Sequence, residues 1–536
     1  MATFTRANAW NNGGTFANTD LLWYAKGVAA MQARQLDDPA SWWFFAALHG
    51  QYVTDGEFPG WGFLPAPPAV PVTPRPSKSV RAKYWDQCQH QSWHFLPWHR
   101  GYLLALEAHI RAAVIALGGP ATWALPYWNY LGAGSEFNIP PAFTEQHLPD
   151  GSSNPLFVTA RFGPDGDGNI FVPTAAGINQ HPNDPNIAYG PVTGECLSND
   201  VYTGNDVMTP PPGFGGPATG FSHDGGMSGN LENNPHNLLH VYVGGSAPDQ
   251  QTYGLMSDPG LAALDPIFYV HHANIDRMWA TWNANAANKN PAASNWLNGP
   301  AAAGERGFVM PMPDGSAWVY TPQQVSDVGQ LDYSYDSLPA MAHVPAAAVI
   351  AARLKELGAT TAAARVKEGA PVATGQNVEL MGANQAAIPI KGAGTSTSVK
   401  LDAGVRRKVS ASLAPASEAA EPDRVFLHLE NVRGTFDASV LSVYINLPEG
   451  ARPGDHPELL AGSVGLFGLR KSSLEDGAHG GQGLTFVMDI TKIVDALHLN
   501  NALTVDALPV RIVPHRPIPE QANITVGRVS VYRQGR

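Results

Sequence analysis

Between Cys88 and Arg100 the chain reads C-Q-H-Q-S-W-H-F-L-P-W-H-R, a cysteine and three histidines leading into a long segment with helical apolar spacing. Neutral imidazole is a borderline-soft ligand suited to copper, zinc, iron and nickel, and packing alone seldom crowds several into one stretch. A second cluster lies far downstream, P-H-N-L-L-H over 235–240 and D-P-I-F-Y-V-H-H-A-N-I-D-R-M-W over 265–279. Two separated clusters predict two metal ions.

Spacing says which of these side chains share a face. His99, Leu103, Leu106 and Ile110 recur at helical intervals, so His99 points inward, where a histidine needs a partner. His236 and His240, four apart after Pro235, stack on one helical face about 6 Å apart and can close on one ion. The zinc-protease pattern H-E-x-x-H requires a glutamate after the first histidine; Asn237 stands there, which disfavours that chemistry. Asp265 as N-cap and Pro266 in the first turn open a third helix. In it His271 shares a face with Ile275, Met278 and Trp282, and His272 with Asp276 and Trp279, so periodicity leaves the pair undecided. One of that pair with His236 and His240 makes three imidazoles; His49, closing W-W-F-F-A-A-L-H, joins two from the opening stretch. A carboxylate-free imidazole shell suits copper over magnesium, calcium or manganese, and divalent copper outranks zinc in affinity. Three ligands per ion leave positions open for oxygen or substrate.

The scaffold that must hold these groups is large. With 536 residues, 44% of them hydrophobic, the chain can bury an extensive core and is expected to form two or three domains. Charged residues are 15% against a usual ~25%, and 55 Gly with 46 Pro predict long ordered loops. A net charge of −12 argues against nucleic acid or an anionic membrane as partner. No stretch reaches the ~18 apolar residues of a span, and the first residues lack a basic-then-apolar signal, so a cytoplasmic protein is expected. Only Cys88 and Cys196 are present, which excludes a disulfide framework. Helical segments and heavy loops fill residues 1–340, an alanine-rich linker covers 341–371, and residues 372–536 read as a β-sandwich. Runs such as V-F-L-H-L-E-N-V and V-L-S-V-Y-I-N-L predict seven or eight strands there.

H-Q-S-W-H-F-L-P-W-H-R, P-H-N-L-L-H-V-Y-V-G-G and D-P-I-F-Y-V-H-H-A-N-I-D-R-M-W, with A-L-P-Y-W-N-Y at Ala124 and Y-S-Y at Tyr333, resemble motifs of the type 3 copper proteins. That group comprises tyrosinases, catechol oxidases and haemocyanins. The resemblance implies a mainly α copper domain with a four-helix-bundle core, and two copper ions with dioxygen as co-substrate. It implies His49, His90 and His99 as ligands of the first ion and His236, His240 and His272 as ligands of the second, with His94 and His271 as bystanders. It further implies a thioether between Cys88 and His90, and Phe268 packed on ligand imidazoles. Glu232 and Asn237 would hold a water that accepts the phenol proton, and Val241 would stand at the rim. The loop 254–264 lacks the bulky aromatic of plant catechol oxidases, which predicts open access. The β-domain resembles the lid of plant and fungal proenzymes and of some bacterial relatives, with Phe467 or Leu469 as the inserted side chain. The function implied is ortho-hydroxylation of monophenols and oxidation of o-diphenols to o-quinones. Catechol or o-aminophenol oxidation without hydroxylation, a haemocyanin-like oxygen carrier and a structural zinc protein are the alternatives. Small phenols are the expected partners, and homo-oligomerisation is left open.

Overall fold

The computed structural model describes residues 4–53, 60–174, 178, 188–204, 212–221, 226–339, 346–358, 377–414, 422–476, 480–504 and 506–535. Six helices organise the first domain: α1 (Thr19–Gln32), α2 (Trp42–His49), α3 (Lys78–Tyr84), α4 (Phe95–Ala116), α5 (Leu238–Gly244) and α6 (Ile267–Ala284). Ser41 caps α2 by accepting from the backbone N–H of Phe44, and every residue of that helix is buried. A helix apolar all round belongs inside a domain, so its terminal His49 is delivered to the centre. α4 turns Leu103, Leu106, Ile110 and Val114 inward, as the spacing predicts. α1 crosses it where Gly27 faces Ile110; a Cβ at Gly27 would meet the Ile110 side chain at 2.7 Å.

Strand β1 (Phe4–Arg6) and the hairpin β2 (Phe308–Pro311) and β3 (Ala317–Tyr320) complete this domain with β4 (Tyr333–Tyr335), the Y-S-Y motif, which pairs in parallel with β1. The start of the chain is thereby fastened to the end of the domain.

The second domain contains β5 (Asn377–Ala383), β6 (Ile388–Pro389), β7 (Thr395–Leu401), β8 (Arg424–Arg433), β9 (Val440–Ile445), β10 (Leu460–Gly465), β11 (Leu484–Asp489), β12 (Ala507–Pro514) and β13 (Thr525–Gly535). They form one nine-stranded antiparallel sheet in the order β10-β9-β12-β7-β5-β13-β8-β11, with β6 added to β13. The sheet curls until Gly462 of β10 lies against Met488 of β11, so its two edges protect each other. The expected β-domain is thus present as a single nearly closed sheet around its own core.

Of the linker expected over 341–371, the described part is 346–358, and the remainder lies outside the described residues. It forms a helix, Ala346–Glu356, whose Arg353 pairs with Asp495 and donates to the carbonyls of Pro422 and Asp423. Leu357 enters the core of the second domain, so this segment is built onto that domain. Among the described residues no helix is long and apolar enough to cross a membrane.

The domains are closely apposed. A Cβ at Gly465 would stand 2.7 Å from the carbonyl oxygen of Asn237, and Arg516 donates to the carbonyls of Ser246 and Ala247. Val440 and Phe467 of the second domain belong to the hydrophobic core of the first.

Candidate metal centre

His49, Cys88, His90 and His99 make one buried group, and His236, His240, His271 and His272 another; within each, one ligand atom per residue lies within 4.8 Å of the rest. His49 ends α2, His90 comes from the loop before α4, and His99 sits in the second turn of α4. His236 lies on a kinked turn, Glu232–Asn237, that runs into α5, where His240 follows; α6 carries His271 and His272. The turn is kinked at Asn234, whose backbone is extended, and the kink separates Glu232 from the helical run that carries His236 and His240. The groups face each other: the His99 and His272 rings are 4.3 Å apart and nearly parallel, and those of His90 and His236 are 5.9 Å apart.

Hydrogen bonding dictates which nitrogen each imidazole offers. Nδ1 of His49 lies 2.8 Å from the Pro259 carbonyl, Nδ1 of His99 2.8 Å from Phe95, and Nδ1 of His240 2.8 Å from Met256. Nδ1 of His236 lies 2.8 Å from Oδ1 of Asn237. Against oxygen acceptors these Nδ1 atoms carry the proton, and each Nε2 is left as a lone pair. Nε2 of His49 and of His240 are buried without a hydrogen-bond partner, and that of His236 faces Nε2 of His272 at 3.3 Å. Burial holds His236 down to about 3; burial with neighbouring imidazoles holds His49 down to about 3 and His99, His240 and His272 well below the usual histidine range. Neutral imidazoles with buried, inward lone pairs and carbonyl-fixed tautomers fit metal ions of the copper type. For Nε2 of His49 and of His240, no hydrogen-bond partner among the described residues offsets the cost of burial.

The ambiguity between His271 and His272 narrows here. His272 lies between the groups, beside His99 and 6.5 Å from His49, with Phe268 packed at 4.2 Å. His271 neighbours His236 and His240, and its other side faces Tyr130 at 5.7 Å. Phe268 also touches His49 and His240, at 4.9 and 5.8 Å, so it packs on ligand candidates of both groups.

Cys88 Sγ is 3.5 Å from Nδ1 and 3.6 Å from Nε2 of His90, and 3.4 Å from Nε2 of His99. Near-equal distances to the two His90 nitrogens place the sulfur close to the plane through the Cε1 carbon between them. His94 stands apart, its Nε2 accepting from the Trp93 indole at 2.9 Å. Glu232 is buried and accepts the backbone N–H of Gln91 at 2.8 and 3.0 Å; burial pushes its carboxyl up to about 8. Asn237 is committed to His236 and, at 3.3 Å, to Ser228. Val241 is buried and lines a small cavity between the domains with Phe436, Val440 and Arg516.

Loop 254–264 brings no aromatic over the second group, yet the open access expected from it is not observed, because Phe467 covers the site. Its ring stacks on His240 at 4.1 Å and stands 5.6 Å from His90 and 5.8 Å from His236. Leu469, two residues on, is buried in the core of the β-domain instead.

A buried ionic cluster behind the site was not singled out from sequence. Asp276, one turn after His272, pairs with Arg100 at 2.5 Å and Arg6 at 3.1 Å, and accepts from the hydroxyls of Tyr333 and Tyr335. Arg6 also pairs with Glu107 at 2.7 Å. The Y-S-Y motif was its visible trace.

Comparison with known proteins agrees with this geometry. Residues 39–285, which contain all eight group members, match the model for the common central domain of tyrosinase, and 377–534 match a domain of unknown function, DUF7868. Tyrosinase HcTyr1 of Hahella sp. (strain CCB-MM4) is 29% identical, over 96% of this chain and 97% of its own length. The chloroplastic (+)-larreatricin hydroxylase of Larrea tridentata is 28% identical over 51% of this chain, a match spanning 41% of that protein. Among solved structures, latent apple tyrosinase shares the fold over 100% of this chain and 98% of its own, with a TM-score of 0.57 at 19% identity. Tyrosinase from Burkholderia thailandensis does so over 95% of both chains, with a TM-score of 0.50 at 16% identity. The paired histidine groups, their carbonyl-fixed tautomers and the match over residues 39–285 together show that the chain carries the common central domain of tyrosinase, with the ligands of a dinuclear copper centre.

Proposed function

We propose that this chain is a tyrosinase in the full sense, hydroxylating monophenols at the ortho position and oxidising the resulting o-diphenols to o-quinones with dioxygen. His49, His90 and His99 would hold one copper and His236, His240 and His272 the other; the copper pair supplies dioxygen activation and the two-electron oxidation. The observation that carries this reading is the arrangement of the histidines. Four of the six have Nδ1 fixed by an oxygen acceptor, and the two triads face each other across the His99–His272 contact.

The protein's own part is positioning and proton handling. A phenol must enter as phenolate although its free pKa is near ~10, and Glu232, buried on the turn that carries His236, would with Asn237 hold the water that takes that proton. Phe268 supports the imidazoles from below, and Cys88 locks His90 through a thioether in the mature protein. The lid residue Phe467 occupies the space over His240 and keeps the resting chain closed. The names of the full-length Hahella relative and of the plant hydroxylase support phenol hydroxylation.

The test is an assay of the copper-reconstituted full chain and its Phe467→Ala variant with tyrosine, catechol and 2-aminophenol. Turnover of tyrosine and catechol is expected in the variant. Oxidation of catechol alone would reduce the function to a diphenolase, and oxygen binding without turnover of any of the three would make it a carrier.

A further inference from the structure

We infer that Arg470 of the β-domain is a positioning residue for the metal ligands of the other domain, acting through Asp258, so that the lid is a strut for the centre as well as its cover. The inference rests on the ligand assignment proposed above. Arg470 Nη2 lies 2.5 Å from Oδ2 of Asp258, which is fully buried. The second oxygen of that carboxylate accepts from the Tyr52 hydroxyl at 2.7 Å and the Gly260 N–H at 2.8 Å. Asp258 therefore pins a tight loop by its side chain, and that loop carries the two carbonyls that matter. Met256, two residues before, accepts from Nδ1 of His240; Pro259, one residue after, accepts from Nδ1 of His49. One short segment thus orients a ligand of each copper.

The packing leaves this segment little freedom except through its anchor. A Cβ on Gly50 would stand 2.8 Å from the Pro259 carbonyl oxygen, and one on Gly260 2.5 Å from the Tyr52 ring. Only glycine at these positions lets the loop close on His49. From the β-domain, Asp437 receives the Arg470 backbone N–H at 2.8 Å and stands 3.5 Å from its guanidinium, which also faces the rings of Tyr52 and Tyr253. The guanidinium is thus held from both domains. If the pair is broken, the Asp258 carboxylate stays buried without its cation, and the loop must shift to rehydrate it. Partners that orient ligating histidines typically contribute about 10- to 100-fold in metal affinity.

The experiment measures equilibrium copper(I) affinity of the full chain under anaerobic conditions, by competition with a chelator of known affinity and well below the melting temperature of each variant. Arg470→Gln and Asp258→Asn are each expected to lose about tenfold or more in affinity, the double variant to lose no more than either single one, and Arg470→Lys to recover part of the loss. Arg516→Gln cuts a different interdomain contact, to the Ser246 and Ala247 carbonyls, and is expected to bind copper like the parent. Parent-like affinity in Arg470→Gln, or an equal loss in Arg516→Gln, would overturn the strut. Failure of the parent to bind two copper ions would instead overturn the ligand assignment on which it rests.

Discussion

The phenyl ring of Phe467 lies over the imidazole of His240, centroids 4.1 Å apart and planes 24° from parallel, although the two residues belong to different domains. An offset stack of this kind contributes about 0.5–1.5 kcal/mol beyond the area buried, and it fills the space a phenol ring would use to reach the second histidine group. Replacing Phe467 by alanine is therefore expected to raise the initial rate of catechol oxidation about 10- to 100-fold, the factor regained when a competent state of 1–10% population becomes the main one. Copper content should remain at the parent value. An unchanged rate at full copper occupancy would show that another element limits access.

The copper domain was legible because its information is local: α4 and α6 carry their histidines on apolar stripes, and α2 is too apolar to lie anywhere but inside. His90 and Asn237 could be named only through the resemblance to the type 3 copper proteins, because both lie in segments whose own periodicity assigns them no partner. Periodicity could not separate His271 from His272, since neighbours on a buried helix both find apolar company, and both rings stand with His236 and His240; only His272 also faces His99. Phe467 and Leu469 read alike in G-L-F-G-L-R, and only docking sends one into the copper site and the other into the sheet. The ion pair of Arg6 with Asp276 joins residues 270 apart, beyond any local pattern. Strand existence was legible in the β-domain from alternation, whereas the order that closes the sheet depends on long-range pairing.

A thioether between Cys88 and His90 would require the S–H and the Cε1–H bonds to be replaced by S–C, with two electrons and two protons passing to dioxygen. The sulfur already lies 3.5 and 3.6 Å from the two nitrogens of that ring. After aerobic copper loading, the intact chain is expected to lose the mass of two hydrogens and to alkylate at Cys196 alone under denaturing conditions. A chain of unaltered mass with two alkylatable thiols would show that Cys88 remains a free thiol.

Asp276 is the junction of the buried cluster that holds α4, α6 and β1 together. Burial by itself would raise its carboxyl, but the guanidinium groups of Arg100 and Arg6 and the hydroxyls of Tyr333 and Tyr335 hold it below the usual carboxylate range. A depressed folded-state value contributes stability that is present above the unfolded value of ~3.9 and lost as pH falls below it. Asp276→Asn is expected to destabilise the apo chain by about 3–5 kcal/mol at neutral pH, because buried Arg100 loses its carboxylate partner and Arg6 keeps only Glu107. The gap between parent and variant in urea unfolding should narrow below about pH 4; a constant gap would place the stabilisation elsewhere.

His272 and His271 can be separated by metal content. His272→Ala removes the imidazole that stands between the two groups and is expected to leave one tightly bound copper per chain after desalting. His271→Ala, which removes a ring facing Tyr130, should retain two. The reverse pattern would make His271 the ligand.

Glu232 gives the sharpest test of the proton-handling role. Its carboxylate is anchored by the Gln91 N–H on the turn that bears His236, so Glu232→Gln keeps an acceptor for that bond while removing the base. A positioned base contributes about 10²- to 10⁴-fold to a step that needs it. The variant, made in the Phe467→Ala background so that substrate can enter, is expected to lose at least the lower end of that range on tyrosine. Oxidation of a catechol acidified by ring substitution, which ionises without help, should change little. Equal losses on the two substrates would assign Glu232 a structural role, because a shift in the histidine that follows on the same turn would slow both reactions alike.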